Sequence, residues 1–371
     1  MKNTAAKRKV RYGVVGLGYI SQIAMLPAFA HAQNSELVAV FSSDPVKLKK
    51  LGKKYKVPYT LSYQDYLPFL ATSQLDAVYI AVPNSLHRDF VVRAADAGVH
   101  VLCEKPLSVT VEDCEVMIQA AKEGGVKLMT AYRLHFDKAN LKMIDLIKKK
   151  KIGDPQIFNS VFTMQVKKGD IRLQKKLGGG TLYDIGIYCI NAARYLFRAE
   201  PCEAIAVSAK NGDTRFKEVD QTTSSVLRFP GGRLASFTTS FGASDTASYQ
   251  VIGSHGDLRM DNIYEYAEPV SGYVNSRGDK QHLTFPLHDQ FASELIYFSN
   301  CILKNKQPQP SGEEGLADVR IIQALYRSAE NGGKPVTLEP QTPAKRPEIS
   351  QVIERPAVEK QELVHASSPH G

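Results

Sequence analysis

The chain has 371 residues, 43% of them hydrophobic and 23% charged, a balance that suits two packed domains and excludes a disordered chain. The formal charge of +9 does not indicate a nucleic-acid partner: five basic residues (Lys2, Lys7, Arg8, Lys9 and Arg11) gather at the start and four more form Lys148 to Lys151, and without these nine the basic residues equal the 38 acidic ones. Five cysteines lacking any Cys-x-x-Cys pair exclude a disulfide framework, and no signal h-region or run of about 18 apolar residues occurs, so the expectation is a cytoplasmic protein without membrane contact and without a metal site.

A basic flexible leader is expected over residues 1–9. Residues 10–18 then read as a strand entering a glycine turn, and 20–30 carry helical spacing of apolar residues. Further strands are predicted at 37–41, 76–82, 99–102 and 126–130, separated by helical stretches such as 86–97 and 111–123. This alternation predicts a doubly wound parallel sheet, a Rossmann-type dinucleotide domain spanning 10–133. After residue 133 the pattern changes. A Lys- and Leu-rich helix (138–151) is followed by strands at about 156–166, 204–209, 222–229, 234–241 and 248–252, with a hairpin turn at Phe229-Pro230-Gly231-Gly232-Arg233, and by helices near 289–303 and 312–331. An α+β domain with a large, mostly antiparallel sheet is therefore expected over 134–340, with one sheet face free to pair with another subunit in a homodimer or homotetramer. From 341 to 371 the periodicity is lost, and the expectation is a mobile tail that takes no part in catalysis.

The glycine turn is Gly16-Leu17-Gly18-Tyr19-Ile20-Ser21. Gly16 allows a tight bend, Gly18 lets backbone approach a pyrophosphate at the start of the helix, and Ser21 stands where the usual fingerprint has a third glycine. The second strand runs into Ser42-Ser43-Asp44-Pro45-Val46-Lys47. An NAD enzyme places an acid where Ser42 stands; two hydroxyls and the Lys47 cation instead favour NADP over NAD, and Asp44 before Pro45 reads as a helix N-cap. Farther on, Gly178-Gly179-Gly180 leads into Asp184 and Tyr188, spaced i, i+4 so that both side chains leave one face of a helix. A phenol that exchanges a proton with a substrate oxygen needs a neighbour that lowers its pKa from about 10. Lys105, in Cys103-Glu104-Lys105-Pro106 at the end of a buried strand, is that neighbour.

Four motifs in this order, Gly16 to Ile20, Val82-Pro83-Asn84-Ser85-Leu86-His87, Glu104-Lys105-Pro106 and Gly178 to Tyr188, resemble the Gfo/Idh/MocA oxidoreductases over residues 9 to 338. The resemblance implies hydride transfer between a carbohydrate carbon and nicotinamide C4, with Lys105 bonding the reacting oxygen, Tyr188 as acid/base, Glu104 orienting the loop and Pro106 fixing its path. It also implies that Pro83, Asn84 and His87 lie along the cofactor, and that Asp184, Arg133 and His135 line the sugar site. Tyr at 188, where many relatives carry His, is similar to the branch of glucose-fructose oxidoreductase and NADP-dependent sugar dehydrogenases, as are Ser42, Ser43 and Lys47. An NADP-dependent aldose oxidoreductase is the leading expectation. A sugar-to-sugar oxidoreductase with tightly bound NADP and a non-catalytic nucleotide-sensing regulator remain as alternatives, and the sugar itself is not legible.

Overall fold

The computed structural model describes residues 8–341 and 347–370. A parallel sheet holds β1 (Val10–Val15), β2 (Ser35–Phe41), β3 (Tyr59–Leu61), β4 (Ala77–Ile80), β5 (His100–Glu104) and β6 (Leu128–Ala131), in the order β3-β2-β1-β4-β5-β6. The helices are α1 (Leu26–Ala28), α2 (Pro45–Tyr55), α3 (Tyr66–Leu70), α4 (His87–Asp96), α5 (Val111–Glu123), α6 (Lys138–Lys148), α7 (Ile187–Phe197), α8 (Gln290–Leu303) and α9 (Gly312–Glu330). Their starts follow local chemistry. Asp44 caps α2 by accepting from the Val46 and Lys47 amides, with Pro45 at the first position, and Thr110, Asp137 and Asp289 cap α5, α6 and α8 in the same way.

The second sheet contains β7 (Pro155–Thr163), β8 (Glu203–Ala209), β9 (Thr222–Arg228), β10 (Leu234–Ser240), β11 (Thr246–Gly253), β12 (Gly256–Asp261), β13 (Val270–Ser276), β14 (Asp279–Phe285) and β15 (Val336–Thr337). Their order is β14-β13-β12-β11-β7-β10-β9-β8-β15, antiparallel except for the β7–β10 pair. The expected turn at 229–233 joins β9 to β10, with Gly231 and Gly232 both at φ +78° and the Phe229 amide bonded to the Arg233 carbonyl. Strands β12 to β14 go beyond the sequence reading: Gly256, Gly272 and exposed charges interrupt their alternation, and pairing with neighbours holds them. One face of this sheet buries Phe158, Leu227, Phe237 and Val251 beneath α7 and α9; the other leaves Ile157, Val161, Val207 and Leu234 exposed.

Two helices late in the chain complete the first sheet's core. On α8, Phe291, Leu295 and Phe298 pack with Tyr12, Val14 and Tyr79; on α9, Leu316 and Val319 pack on the opposite side with Val101, Leu107 and Met117. The two halves of the chain thus share their hydrophobic cores, which fixes the cleft between them.

The tail packs on the rest of the chain. Of the segment 341–371, residues 342–346 and 371 lie outside the described residues, but 347–370 run in an ordered, extended path. The Ser293 hydroxyl donates to the Ile353 carbonyl (2.6 Å), the Asp289 amide to Arg355 (3.0 Å), and Ile353 and Val364 join the core beneath α8 and β1. Lacking periodicity of its own, this segment is ordered by docking on surfaces made elsewhere in the chain. The leader 1–9 falls outside the described residues up to Lys7, and the guanidinium of Arg8 pairs with Asp76.

Candidate active site

The order of the parallel sheet reverses between β1 and β4, and a cleft opens beyond the carboxyl ends of these strands against the second sheet. Gly16, Gly18, Tyr19, Ile20, Ser42, Ser43, Lys47, Pro83, Asn84, Glu104, Lys105, Arg133, Asp184 and Tyr188, separated in sequence, all line it.

At one end, Gly16 takes φ +96°, and a Cβ there would meet the Ala81 carbonyl oxygen at 2.5 Å. Gly18 differs in its use: a Cβ there would have nothing within 4 Å, so the position is open to a group arriving at the helix start. The Ser21 hydroxyl bonds back to the Gly16 carbonyl at 2.7 Å and ties the turn down. Ser42 is buried, with Ser43 and Lys47 beside it at the rim; the Asp44 carboxylate is occupied by its capping bonds.

The other end is built by glycine-controlled close approach. Gly178 has φ +80°, a Cβ there would meet the Asn84 side chain at 2.8 Å, and the Asn84 amide donates to the Gly178 carbonyl at 2.9 Å. Residues 182–186 then wind as one wide π-type turn before α7 begins. The turn aims Asp184 at Lys105: the Lys105 ammonium donates to the Asp184 carbonyl oxygen (2.8 Å) and to Oδ1 (3.1 Å), and sits 4.8 Å from the centroid of the Tyr188 ring. Two of its three protons are so used, which leaves one for a third partner. The Lys105–Pro106 bond is cis. Glu104 accepts from the Tyr79 hydroxyl (2.6 Å) and from the Lys105 amide (3.1 Å), and so fixes the loop.

Arg172 is the residue that the sequence reading missed. Its Nε donates to Asp184 Oδ2 at 2.5 Å, so both oxygens of Asp184 face a cation. Burial opposes the Asp184 charge, but Arg172 and Lys105 outweigh it and hold the carboxyl well below the usual range. Burial likewise opposes the Lys105 ammonium, while Tyr188, Asp184 and Glu104 raise its pKa above the ordinary lysine value. Asp184 is therefore a fixed anion and Lys105 a fixed cation at neutral pH. Arg172 lies in a short turn with no motif around it, and no spacing signals it.

Arg133 is buried, bonded to the Tyr264 carbonyl and the Gln290 side chain, and stacked on the rings of Tyr188 and Tyr266 at 5.1 Å. It supports the wall of the cleft and the acid/base candidate together. Two of the expected residues, His87 and His135, are not among those lining the cleft. His87 is wholly buried outside the cleft, where its ring nitrogens meet the carbonyls of Val82, Pro106 and Leu107 and brace two cleft loops from behind. His135 is also buried; it is bonded to the Tyr195 hydroxyl and stacked on Tyr132, and it does not reach the cleft. Both histidines satisfy backbone or side-chain partners in the interior, a role that residue type cannot distinguish from ligand binding. Among the described residues no three His, Cys, Asp or Glu side chains gather as a metal would require, and no helix is long and apolar enough to cross a membrane.

Comparison with known proteins agrees with this architecture. Residues 10–132 match the model of the GFO_IDH_MocA oxidoreductase family, NAD-binding Rossmann fold, and residues 140–259 match the GFO/IDH/MocA C-terminal domain. D-xylose 1-dehydrogenase [NADP(+)] of Haloarcula marismortui is 30% identical over 89% of this chain and 93% of its own length. The NADP(+) D-xylose 1-dehydrogenase 2 of Haloferax volcanii is 31% identical over 86% and 98%. Among solved structures, the aldose-aldose oxidoreductase of Caulobacter crescentus superposes with a TM-score of 0.85 at 36% identity, over 89% of this chain and all of its own. A 3-ketoreductase of Actinomadura kijaniata, in complex with NADP and TDP-benzene, gives 0.79 at 28% over 86% and 98%. With both domains matched in order across most of its length, this chain belongs to the Gfo/Idh/MocA oxidoreductase family.

Proposed function

We propose that the protein is an NADP-dependent sugar oxidoreductase acting at C1 of an aldose or at a related carbohydrate hydroxyl or carbonyl. The convergence of Lys105, Asp184 and Tyr188 in one cleft carries this reading. The cleft fits the nucleotide: Gly16 to Ile20 provide a turn with open space at Gly18, Ser42, Ser43 and Lys47 offer donors and a cation for a 2′-phosphate, and Pro83 and Asn84 form the adjoining wall. When bound, NADP supplies the carbon that takes hydride from the sugar. Tyr188 takes the proton of the reacting hydroxyl. Lys105, held by two bonds to Asp184, uses its remaining proton to hold the same oxygen and stabilise negative charge there. Asp184, kept ionised by Arg172, is not a proton donor; it orients Lys105 and accepts from a neighbouring sugar hydroxyl. The NADP preference of the two xylose dehydrogenases supports the cofactor choice.

Turnover of NADP with a panel of aldoses tests the reading, together with Lys105→Met and Tyr188→Phe. Near-normal turnover in either variant would overturn the residue assignment. Silence of the wild-type chain toward every aldose would favour a nucleotide-sensing regulator. Likeness to an aldose-aldose oxidoreductase favours a second reading, hydride transfer from one sugar to another on a retained nucleotide. For assembly we place a homodimer or homotetramer contact on the bare face of the second sheet, around Val161, Val207 and Leu234. Sedimentation reads the mass.

A further inference from the structure

The last described residues run from one side of the cleft to the other. At the nucleotide side, the Val364 amide donates to Gln22 Oε1 (2.8 Å) and the Gln22 amide donates to the Val364 carbonyl (2.9 Å), while His365 Nδ1 meets Asp44 Oδ2 at 3.0 Å. Gln22 is in the turn directly after Gly16 to Ile20, and Asp44 adjoins Ser43. At the far side, the Lys167 amide donates to the Pro369 carbonyl (3.0 Å), His370 bridges Val166, and His370 Nδ1 meets Asp245 Oδ2 at 2.8 Å. Pro369 and His370 themselves line the cleft. The run 365–370 spans at most about 18 Å fully extended, so while both ends are bound the two anchors can part no farther than that.

We propose that residues 364–370 form a strap that keeps the nucleotide in the cleft across turnovers. A dinucleotide leaves such a cleft when the two walls part or when the rim opens, and the strap resists both: each end is fixed to a different wall, and its first end bonds Asp44 beside Ser43. The consequence rests on the sugar-oxidoreductase reading. With release slowed, hydride taken from one sugar, which becomes a lactone as Tyr188 takes its hydroxyl proton, is returned to the carbonyl carbon of a second sugar. That carbonyl oxygen receives the proton back from Tyr188 and becomes a hydroxyl.

The test is the rate at which NADPH leaves the full chain, followed by nicotinamide fluorescence during a chase with excess NADP. The wild type is compared with the double variant His365→Ala/His370→Ala and with a chain ending at Leu363. Loss of the two exposed His–Asp hydrogen bonds should speed release about tenfold, and loss of the whole strap should speed it further. Equal release rates in the wild type and the double variant would overturn the strap, whether or not the shortened chain folds. Faster release in a protein whose bound nucleotide no aldose reduces would keep the strap and refute the sugar reading instead.

Discussion

The segment from Asp184 to Phe197 joins two charge clusters that use the same side-chain types to different ends. At its start, Lys105, Asp184 and Arg172 pair at the cleft wall with side-chain exposures of 13, 17 and 24%. Three turns on, Arg194 is fully buried: it bonds Glu200, Glu314 and Asp318, and Asp318 also accepts from Tyr132 (2.5 Å) and Asn191 (2.5 Å). The interior cluster has its groups committed to one another and clamps α7 to α9. The cleft cluster keeps a spare lysine proton and a path to solvent. Residual hydrogen-bonding capacity, more than charge, separates a reactive site from a structural clamp.

Four experiments sharpen that contrast, beginning with the largest effect. Tyr188→Phe should lower kcat/KM about 100-fold to 10,000-fold while leaving the melting temperature in place; steady-state nicotinamide absorbance and calorimetry read the two quantities. Arg194→Met should do the reverse. It leaves Asp318 and Glu314 buried without their cation, and should cost about 3–5 kcal/mol in urea unfolding with little change in turnover per folded molecule.

Arg172→Gln lies between these extremes. Since Asp184 titrates below its unfolded value of about 3.9, its pairing stabilises the fold above that value and the benefit disappears as pH falls through the folded pKa. The variant, which keeps Lys105 beside Asp184, should lose about 1–2 kcal/mol at pH 7 and nearly as much at pH 4, where Asp184 is still ionised in the fold. Urea midpoints at the two pH values decide it; a loss that has already fallen away at pH 4 would show that Asp184 is not held ionised by its partners.

The smallest expected effect is a gain. Glu294 on α8 is fully buried, and neither carboxylate oxygen has a hydrogen-bond partner among the described residues. Burial, then the nearby Glu104 charge, pushes its pKa well above the ordinary value. A raised carboxyl pKa means that stability falls as pH rises beyond the unfolded value of about 4.3. Glu294→Gln should remove that slope and raise stability by about 1 kcal/mol at pH 8, with less gain at pH 5. Thermal melts at both pH values check it, and a uniform gain would assign the effect to packing.

Much of the cleft was legible because its determinants are local. Gly16 and Gly18 declare a backbone need, Asp44-Pro45 a cap, and Asp184 with Tyr188 a shared face, each within a few residues. The placement of His87 and His135 was not legible for the same reason: their neighbours resemble site segments, but which side of a loop a ring occupies depends on carbonyls and hydroxyls far along the chain. Strands β12 to β14 escaped notice because their partners, not their own alternation, make them strands.

By itself the sequence determined the alternation of the parallel sheet, the glycine turns, the hydroxyl-rich rim of the cleft and the lysine-tyrosine pair, since periodicity, φ preference and capping act over one or two helical turns. Only the tertiary structure decided that Arg172 pins Asp184, that α8 and α9 return to complete the first core, and that an aperiodic tail crosses the cleft. These depend on long-range contacts whose free energy comes from surfaces that do not exist until the rest of the chain has folded.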